Sequence, residues 1–369
     1  MKPDADDPQR LDLPSFPAYA VASALLLVAC LILIMRRDRP AYVYATRETQ
    51  PVRGERDAAD DICIWIHPTD PTRSVIIGTD KDRGICVYNL DGQEIEFRPD
   101  GRLNNVDCRS GFPYLEREIP LVVASNRSDN SILCYTIQPE ARTLTLLGRV
   151  QTDLEIYGLC LYKASPLDAS RFYVFVTGKD GRVQQYRLEE APSESVAGAI
   201  QGKKVRELQF ESVTEGCVAD DTHGWVYIGE EDVGLWKLNA RPDASGSTRT
   251  LIIRAGFGRP ISPDLEGVTI YPTNGESGYL LLSSQGDNRF IVLDRQEPHP
   301  LLGSFKIASN RTLNIDAVSG TDGIDVTNAA LGPDFPLGLM IAQDDKNDDA
   351  NQNFKMVPWH EIRQALELP

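Results

Sequence analysis

Short apolar strands alternate with polar turns along most of this chain, from residue 59 onwards. In each repeating unit an apolar run ends in small residues, a polar turn follows, and a second apolar or alternating strand comes after the turn. Six such units are present, and their first strands begin at Val75, Leu121, Tyr173, Trp225, Tyr279 and Gly338. The units start roughly 46 to 59 residues apart, which is the spacing of four-stranded propeller blades.

A second series of short strands precedes the first, and a polar or acidic residue leads into each of its members. These six strands start near Asp60, Asn104, Glu155, Thr214, Leu265 and Thr321. Because two six-fold series share one spacing, we predict an all-β fold, a six-bladed β-propeller, over residues 57–369. A pair of long β-sandwiches is the alternative. A helical pattern near the C-terminus predicts a short helix from Trp359 to Leu368.

The N-terminal region differs from the rest of the chain. Residues 1–16 form a polar tail, and the nineteen residues 17–35 carry no charge and are long enough to span a bilayer. We predict a membrane-spanning or signal-anchor segment there, followed by a polar linker over residues 36–56. Cys30 ends a short sequence that looks like a lipoprotein cleavage site, so a processed lipoprotein is the alternative.

Composition excludes several classes of function. The formal net charge of −16 argues against a nucleic-acid partner, because a phosphate backbone requires clustered Lys and Arg. The seven cysteines contain no C-x-x-C pair, and the four histidines lie far apart in sequence. Phosphate-loop and nucleophile-elbow motifs are also missing from the sequence. These observations argue against a disulfide framework, a zinc site and a covalent nucleophile.

Equivalent turns of all blades in a propeller emerge on one face of the disc, so the six polar turns are read together. The turns of blades one to three carry the basic residues Lys81, Arg127 and Lys179. The turns of blades four to six carry mainly acidic residues: Glu230, Glu231, Asp232, Gln285, Asp287, Asp344 and Asp345. We therefore expect a cleft with one basic half and one acidic half.

The starts of the innermost strands add further oxygen donors to the same face. They are Asp60, Asp61, Asn104, Asn105, Asp107, Glu215, Asp264, Glu266, Asp322 and Asp325. A set made only of oxygen ligands favours a hard cation, calcium before magnesium. For any single carboxylate, a structural role in a solvated turn is the alternative.

These residues lie in segments that resemble the β-propeller phytases, the calcium-dependent alkaline phytase family. The matching segments include AADDICIWIHPTDP, GRLNNVDCR, VVASNRSDNSI, VTGKDGRVQQYRL, YIGEEDVGLWKL and SPDLEGVTIY, in the family's order. The resemblance implies a 3-phytase-type phosphomonoesterase that hydrolyses myo-inositol hexakisphosphate (phytate). It also implies several bound calcium ions and stepwise phosphate release by metal-activated water.

The resemblance also assigns roles to individual residues. The residues that would bind substrate phosphates are Lys81, Arg127, Tyr157 and Lys179. The calcium ligands would be Asp60, Asp61, Glu215, Glu231, Asp264, Glu266, Gln285 and Asp322. Catalysis would use the four phosphate-binding residues together with Glu231 and Asp180. The family usually has a glutamate at position 180, and the shorter aspartate is expected to loosen one metal contact.

Two other functions remain open from the sequence. One is a different metal-dependent propeller hydrolase, such as a lactonase, and the other is a non-catalytic calcium-binding module. The resemblance favours an extracytoplasmic propeller, periplasmic or extracellular, that is anchored to the membrane through residues 17–35. We expect a monomer.

Overall fold

The strands of the computed structural model form six sheets, five with four antiparallel strands and one to which a fifth, parallel strand is added. The structure describes residues 39–164, 171–192, 199–348 and 350–369. The predicted polar tail and the apolar segment 17–35, including Cys30, lie outside these residues. Within the described part of the chain, no helix has the length and apolarity needed to cross a membrane.

The first three sheets each consist of four strands in chain order. Blade one contains β3 (Ala59–Trp65), β4 (Val75–Asp80), β5 (Gly84–Asn89) and β6 (Glu94–Arg98). Blade two contains β7 (Leu103–Tyr114), β8 (Arg117–Asn126), β9 (Ser131–Gln138) and β10 (Thr143–Gln151). Blade three contains β11 (Ile156–Lys163), β12 (Phe172–Gly178), β13 (Arg182–Glu190) and β14 (Ile200–Gln209).

The other three sheets follow the same order, but the last two also include strands from the start of the chain. Blade four contains β15 (Thr214–Asp220), β16 (Trp225–Glu230), β17 (Gly234–Asn239) and β18 (Arg249–Arg254). Blade five contains β19 (Leu265–Pro272), β20 (Gly278–Ser284), β21 (Arg289–Asp294), β22 (Leu301–Ala308) and β1 (Ala41–Tyr44). Blade six contains β23 (Ile324–Thr327), β24 (Leu339–Asp344), β25 (Asn353–Pro358) and β2 (Arg47–Glu48).

These six sheets confirm the predicted six-bladed β-propeller. The apolar runs that end in small residues form the second strand of each blade. The short strands with a leading polar or acidic residue form, or lead into, the innermost strand. Neighbouring innermost strands contact one another around the full ring, including β23 against β3. We call the face at which the innermost strands begin the entry face.

The ring is closed by residues that the sequence had placed in a linker. β2 pairs antiparallel with β25 and becomes the outermost strand of blade six, whose other strands come from the C-terminal region. β1 pairs parallel with β22 at the edge of blade five. The predicted linker 36–56 therefore contains propeller strands, a contribution that the short polar sequence does not reveal.

Apolar side chains from adjacent blades pack together and form six buried clusters, one between each neighbouring pair of sheets. The cluster between blades five and six also receives the predicted C-terminal helix, α1 (Trp359–Ala365). The Trp359 ring stacks on Tyr271 with a centroid separation of 3.8 Å. Each large side chain buried in this way contributes about 1.5–3 kcal/mol. Packing between blades therefore produces a rigid ring that holds the site residues in position.

Candidate functional site

A β-bulge occurs at the start of the innermost strand in five of the six blades. The pairing register shifts between Ala59 and Ile62, Leu103 and Val106, Ile156 and Leu159, Thr214 and Cys217, and Leu265 and Val268. A bulge leaves extra residues unpaired and turns their side chains away from the regular alternation. The residues within these bulges include Asp60, Asn104, Tyr157, Glu215 and Glu266. The bulges thus direct the candidate residues of different blades towards the axis at the entry face.

Glycine follows the candidate residue in several bulges and lets neighbouring strands approach closely. A Cβ on Gly158 would lie 2.0 Å from the carbonyl oxygen of Glu215, and one on Gly216 would lie 1.9 Å from that of Glu266. No side chain fits at these positions without moving the adjacent backbone. The Y-G and E-G pairs in the sequence therefore bring Tyr157, Glu215 and Glu266 together from three consecutive blades.

The turn after the second strand of each blade places the next residue at the entry face. In blade four, the carboxylate of Glu230 accepts hydrogen bonds from the backbone NH groups of Glu211 and Ser212, at 3.0 and 2.8 Å. It also accepts one from Nε1 of Trp236, at 2.8 Å. Glu230 is therefore a structural residue of the turn, and the half-buried Glu231 is the carboxylate offered to the site.

Lys81 occupies an acidic pocket at the junction of blades one and six. Its Nζ lies 3.1 Å from Asp60 Oδ2, 2.9 Å from Asp322 Oδ2 and 2.6 Å from the exposed Asp57. Nε2 of Gln285 donates to Asp322 Oδ1 at 2.6 Å. Burial raises the pKa of both Asp60 and Asp322 to about 7, although Lys81 acts in the opposite direction.

Tyr157 lies between the other two basic residues. Nζ of Lys179 is 4.6 Å from the centre of its ring, and the guanidinium carbon of Arg127 is 5.6 Å from it, so both make cation–π contacts. Burial, followed by the charge of the nearby Glu215, raises the pKa of the Tyr157 hydroxyl. Tyr157 therefore supports the two cations with its ring, and its hydroxyl lies near the acidic half.

Glu215, Glu231 and Glu266 form the acidic centre of the site. One carboxylate oxygen from each lies within 4.8 Å of the others. Burial, followed by the charge of Glu215, raises the pKa of Glu231 to about 7 and that of Glu266 well above its ordinary value. Desolvation and mutual repulsion therefore make three ionised carboxylates unfavourable here, unless a cation is bound among them.

The acidic centre fits a metal ion. The Oε2 atom of Glu266 is buried and has no hydrogen-bond partner among the described residues, an arrangement that costs about 1–3 kcal/mol when nothing compensates it. All three side chains offer carboxylate oxygens, and oxygen donors are the ligands that calcium and magnesium prefer. A cation held by these oxygens would satisfy the unpaired atom and offset the repulsion.

Most of the residues expected at the site contact one another through their side chains, but three of the described ones do not. Asp61 accepts hydrogen bonds from Val106 N and Asn105 Nδ2, both at 3.1 Å, and is held against blade two. Asp180 binds Nε of Arg182 at 2.7 Å. Asp264 accepts a hydrogen bond from Gln285 N through its backbone oxygen, at 3.0 Å. After burial and the charge of Glu215, the charge of its carboxylate also raises the pKa of Glu231.

Two contacts were not assigned by sequence reasoning. Asp57 pairs with Lys81, and Asn104 joins the acidic half to Arg127. The signal for Asn104 was present in the sequence, since it starts an innermost strand in the same way as Asp60 does. The sequence could not show that the neutral amide of Asn104 lies beside the guanidinium of Arg127.

Comparison with known proteins gives matches along nearly the whole chain. The Phytase family model matches residues 18–368. The 3-phytase of Bacillus subtilis (strain 168) is 41% identical over 339 residues, which span 89% of this chain and 86% of that protein. This chain is therefore similar to a curated phytase along nearly all of its length.

Two solved structures that match the chain resemble it only distantly. BBS1N in complex with ARL6DN, soaked with lead, gives a TM-score of 0.45 at 13% identity, covering 80% of this chain and 78% of that one. The Nidogen/Laminin complex gives a TM-score of 0.42 at 12% identity, covering 78% of this chain and 85% of that one. Neither likeness supports a conclusion. The family match and the Bacillus relative do, and together they show that this chain belongs to the phytase family.

Proposed function

We propose that this protein is a calcium-dependent phytase, which hydrolyses myo-inositol hexakisphosphate and releases phosphate stepwise. The observation that carries the proposal is a largely buried carboxylate triad beside three basic side chains at the same face. One oxygen of this triad has no hydrogen-bond partner in the described part of the chain. Family membership supplies the reaction class, and the similar Bacillus protein is named a 3-phytase.

The charges of the site suit a polyanionic substrate. Phytate carries six phosphate groups, and a chain with a net charge of −16 would repel it without local compensation. Lys179 is exposed and Arg127 is half-buried, and neither has a salt-bridge partner among the described residues. Both can therefore direct an uncompensated positive charge at phosphate oxygens.

The acidic half would hold the cation. Its expected ligands are Glu215, Glu231 and Glu266. Two further acids, Asp60 and Asp322, lie beside them and pair with Lys81. When bound there, calcium would supply positive charge for the transferring phosphoryl group and lower the pKa of a coordinated water. Arg127 and Lys179 orient the substrate phosphates, and the rigid ring keeps both halves at a fixed separation.

A phosphate-release assay tests the proposal. Full-length protein is incubated with phytate in calcium, in magnesium, and in calcium with an excess of EGTA. We expect release in calcium, loss of release in EGTA, and recovery when calcium is restored. The Lys179→Ala variant should raise KM for phytate, whereas Lys203→Ala, an exposed lysine on β14, should not. Absence of release at every calcium concentration would refute the proposal.

We also propose that residues 17–35 anchor the protein in a membrane, with the propeller extracytoplasmic and monomeric. The support is the uncharged length of this segment, which matches a bilayer, and the family resemblance. Protease treatment of intact cells, or of spheroplasts where the cell has an outer membrane, should digest the propeller. Protection of the propeller, or recovery of the protein in the soluble fraction, would contradict this placement.

A further inference from the structure

One buried amide connects the two halves of the site. Asn104 is fully buried at the start of β7, and its Oδ1 accepts a hydrogen bond from Nη1 of Arg127 at 3.0 Å. Its Nδ2 is 2.7 Å from Glu215 Oε1 and 3.2 Å from Asp60 Oδ1. The oxygen of the amide thus accepts a hydrogen bond from the basic half, and the nitrogen donates hydrogen bonds to the acidic half.

The chemistry of these neighbours fixes the orientation of the amide. A side-chain amide accepts through oxygen and donates through nitrogen, so the opposite rotamer would point an NH₂ group at a guanidinium and an oxygen at two carboxylates. An aspartate here would add a further negative charge next to Glu215 and Asp60. A leucine would leave buried polar groups on both sides without partners.

The neutrality of Asn104 matters for Arg127. At the equivalent bulge, blades one, four and five carry the acids Asp60, Glu215 and Glu266, while blade two carries an amide. Lys81 is surrounded by three carboxylates, but among the described residues Arg127 has no salt-bridge partner. Its guanidinium instead contacts the Asn104 amide and the ring of Tyr157. The guanidinium is therefore held in place while its charge stays available.

We propose that Asn104 is a positioning residue, which aims Arg127 at a phosphate of the substrate without neutralising its charge. This inference rests on the proposed function and adds a residue to it. Asn104 acts through Arg127, so removing the amide should weaken binding of a polyanion only while Arg127 is present. A role limited to folding or to the carboxylates would not depend on Arg127 in this way.

A double-mutant cycle tests this dependence. The Asn104→Leu, Arg127→Ala and doubly substituted proteins are titrated in calcium with myo-inositol hexasulfate, a phytate analogue that cannot release phosphate. We expect Asn104→Leu to weaken binding about tenfold, because one hydrogen bond to a charged group is lost. The double variant should bind no more weakly than Arg127→Ala alone. Additive losses would overturn the proposal.

Further variants guard against a folding artefact. Asn104→Asp preserves the size of the side chain and should also weaken binding, since a carboxylate would neutralise Arg127. Wild-type affinity in folded Asn104→Asp would overturn the proposal. Asn353→Leu is the matched control, because its buried amide bonds Glu48 and Thr49 outside the site. That variant should melt at a lower temperature but bind normally, and an equal loss of affinity would overturn the proposal.

Phosphate release by the wild-type protein distinguishes a failure of the proposed function from a failure of the role assigned to Asn104. Wild-type protein that releases no phosphate from phytate in calcium would refute the proposed function. Active wild-type protein, combined with unchanged hexasulfate affinity in both Asn104 variants, would refute only the role of Asn104.

Discussion

Adjacent residues with the same side chain have different tasks at this site. Glu230 is almost completely buried and uses both carboxylate oxygens to hold the turn of blade four. Glu231 is less buried, its side chain makes no hydrogen bond to another described residue, and it belongs to the acidic triad. The sequence EED alone could not separate them, because the difference depends on which neighbours the turn meets.

This difference predicts opposite effects of substitution. Glu230→Ala should lower the free energy of unfolding by about 3 kcal/mol, since it leaves buried NH donors unpaired. Glu231→Gln should leave stability unchanged or slightly higher, because it removes one of several repelling carboxylates, and it should lower kcat about a hundredfold. Denaturant unfolding and phosphate release measure the two effects. Equal loss of stability in both variants would contradict the assignment.

At the scale of single elements, the bulges in the innermost strands bring side chains from different blades together at the site. The repeat could be predicted from sequence because hydrophobic patterning and spacing follow directly from the blade. The bulges could not, since an extra residue in a strand leaves little trace in hydrophobic alternation. For the same reason the sequence could not show that Asp61, expected with Asp60 as a ligand, accepts a hydrogen bond from Asn105 of the adjacent blade.

The closing strand β2 is a second element that sequence patterning missed, and one lysine holds it. Lys355 is fully buried on β25, and its Nζ lies 2.5 Å from Glu48 Oε2 on β2. The same ammonium contacts Asp316 and lies 3.5 Å from Asp344 Oδ2. A two-residue strand has too few hydrogen bonds to close the ring alone, so this buried charge network complements the pairing.

Lys355→Met keeps most of the side-chain volume but leaves the carboxylates without their cation. Breaking a buried ion pair from one side costs about 3–5 kcal/mol, so we expect a loss of that size in the free energy of unfolding. Urea unfolding monitored by circular dichroism gives the value, with the exposed Lys203→Met as control. A loss below about 1 kcal/mol would show that β2 is held by other contacts.

At the scale of the whole molecule, the two halves of the entry face explain how an acidic protein can bind a polyanion. Sequence reasoning predicted the six blades and grouped the basic and acidic turns correctly by blade. It did not predict that Lys81 lies within the acidic group, since Asp60 and Asp322 meet only where blades one and six adjoin. Contacts across blade junctions depend on ring closure, which local patterning does not encode.

The central claim is that the carboxylate triad holds the cation required for phytate hydrolysis. The most direct measurement is the rate of phosphate release from phytate as a function of free calcium, for wild type and Glu266→Gln. The matched control is Glu276→Gln, an exposed residue in the turn between β19 and β20. We predict that Glu266→Gln needs at least about tenfold more calcium for half-maximal release, while Glu276→Gln follows the wild type. Superimposable calcium curves for all three proteins would contradict the account.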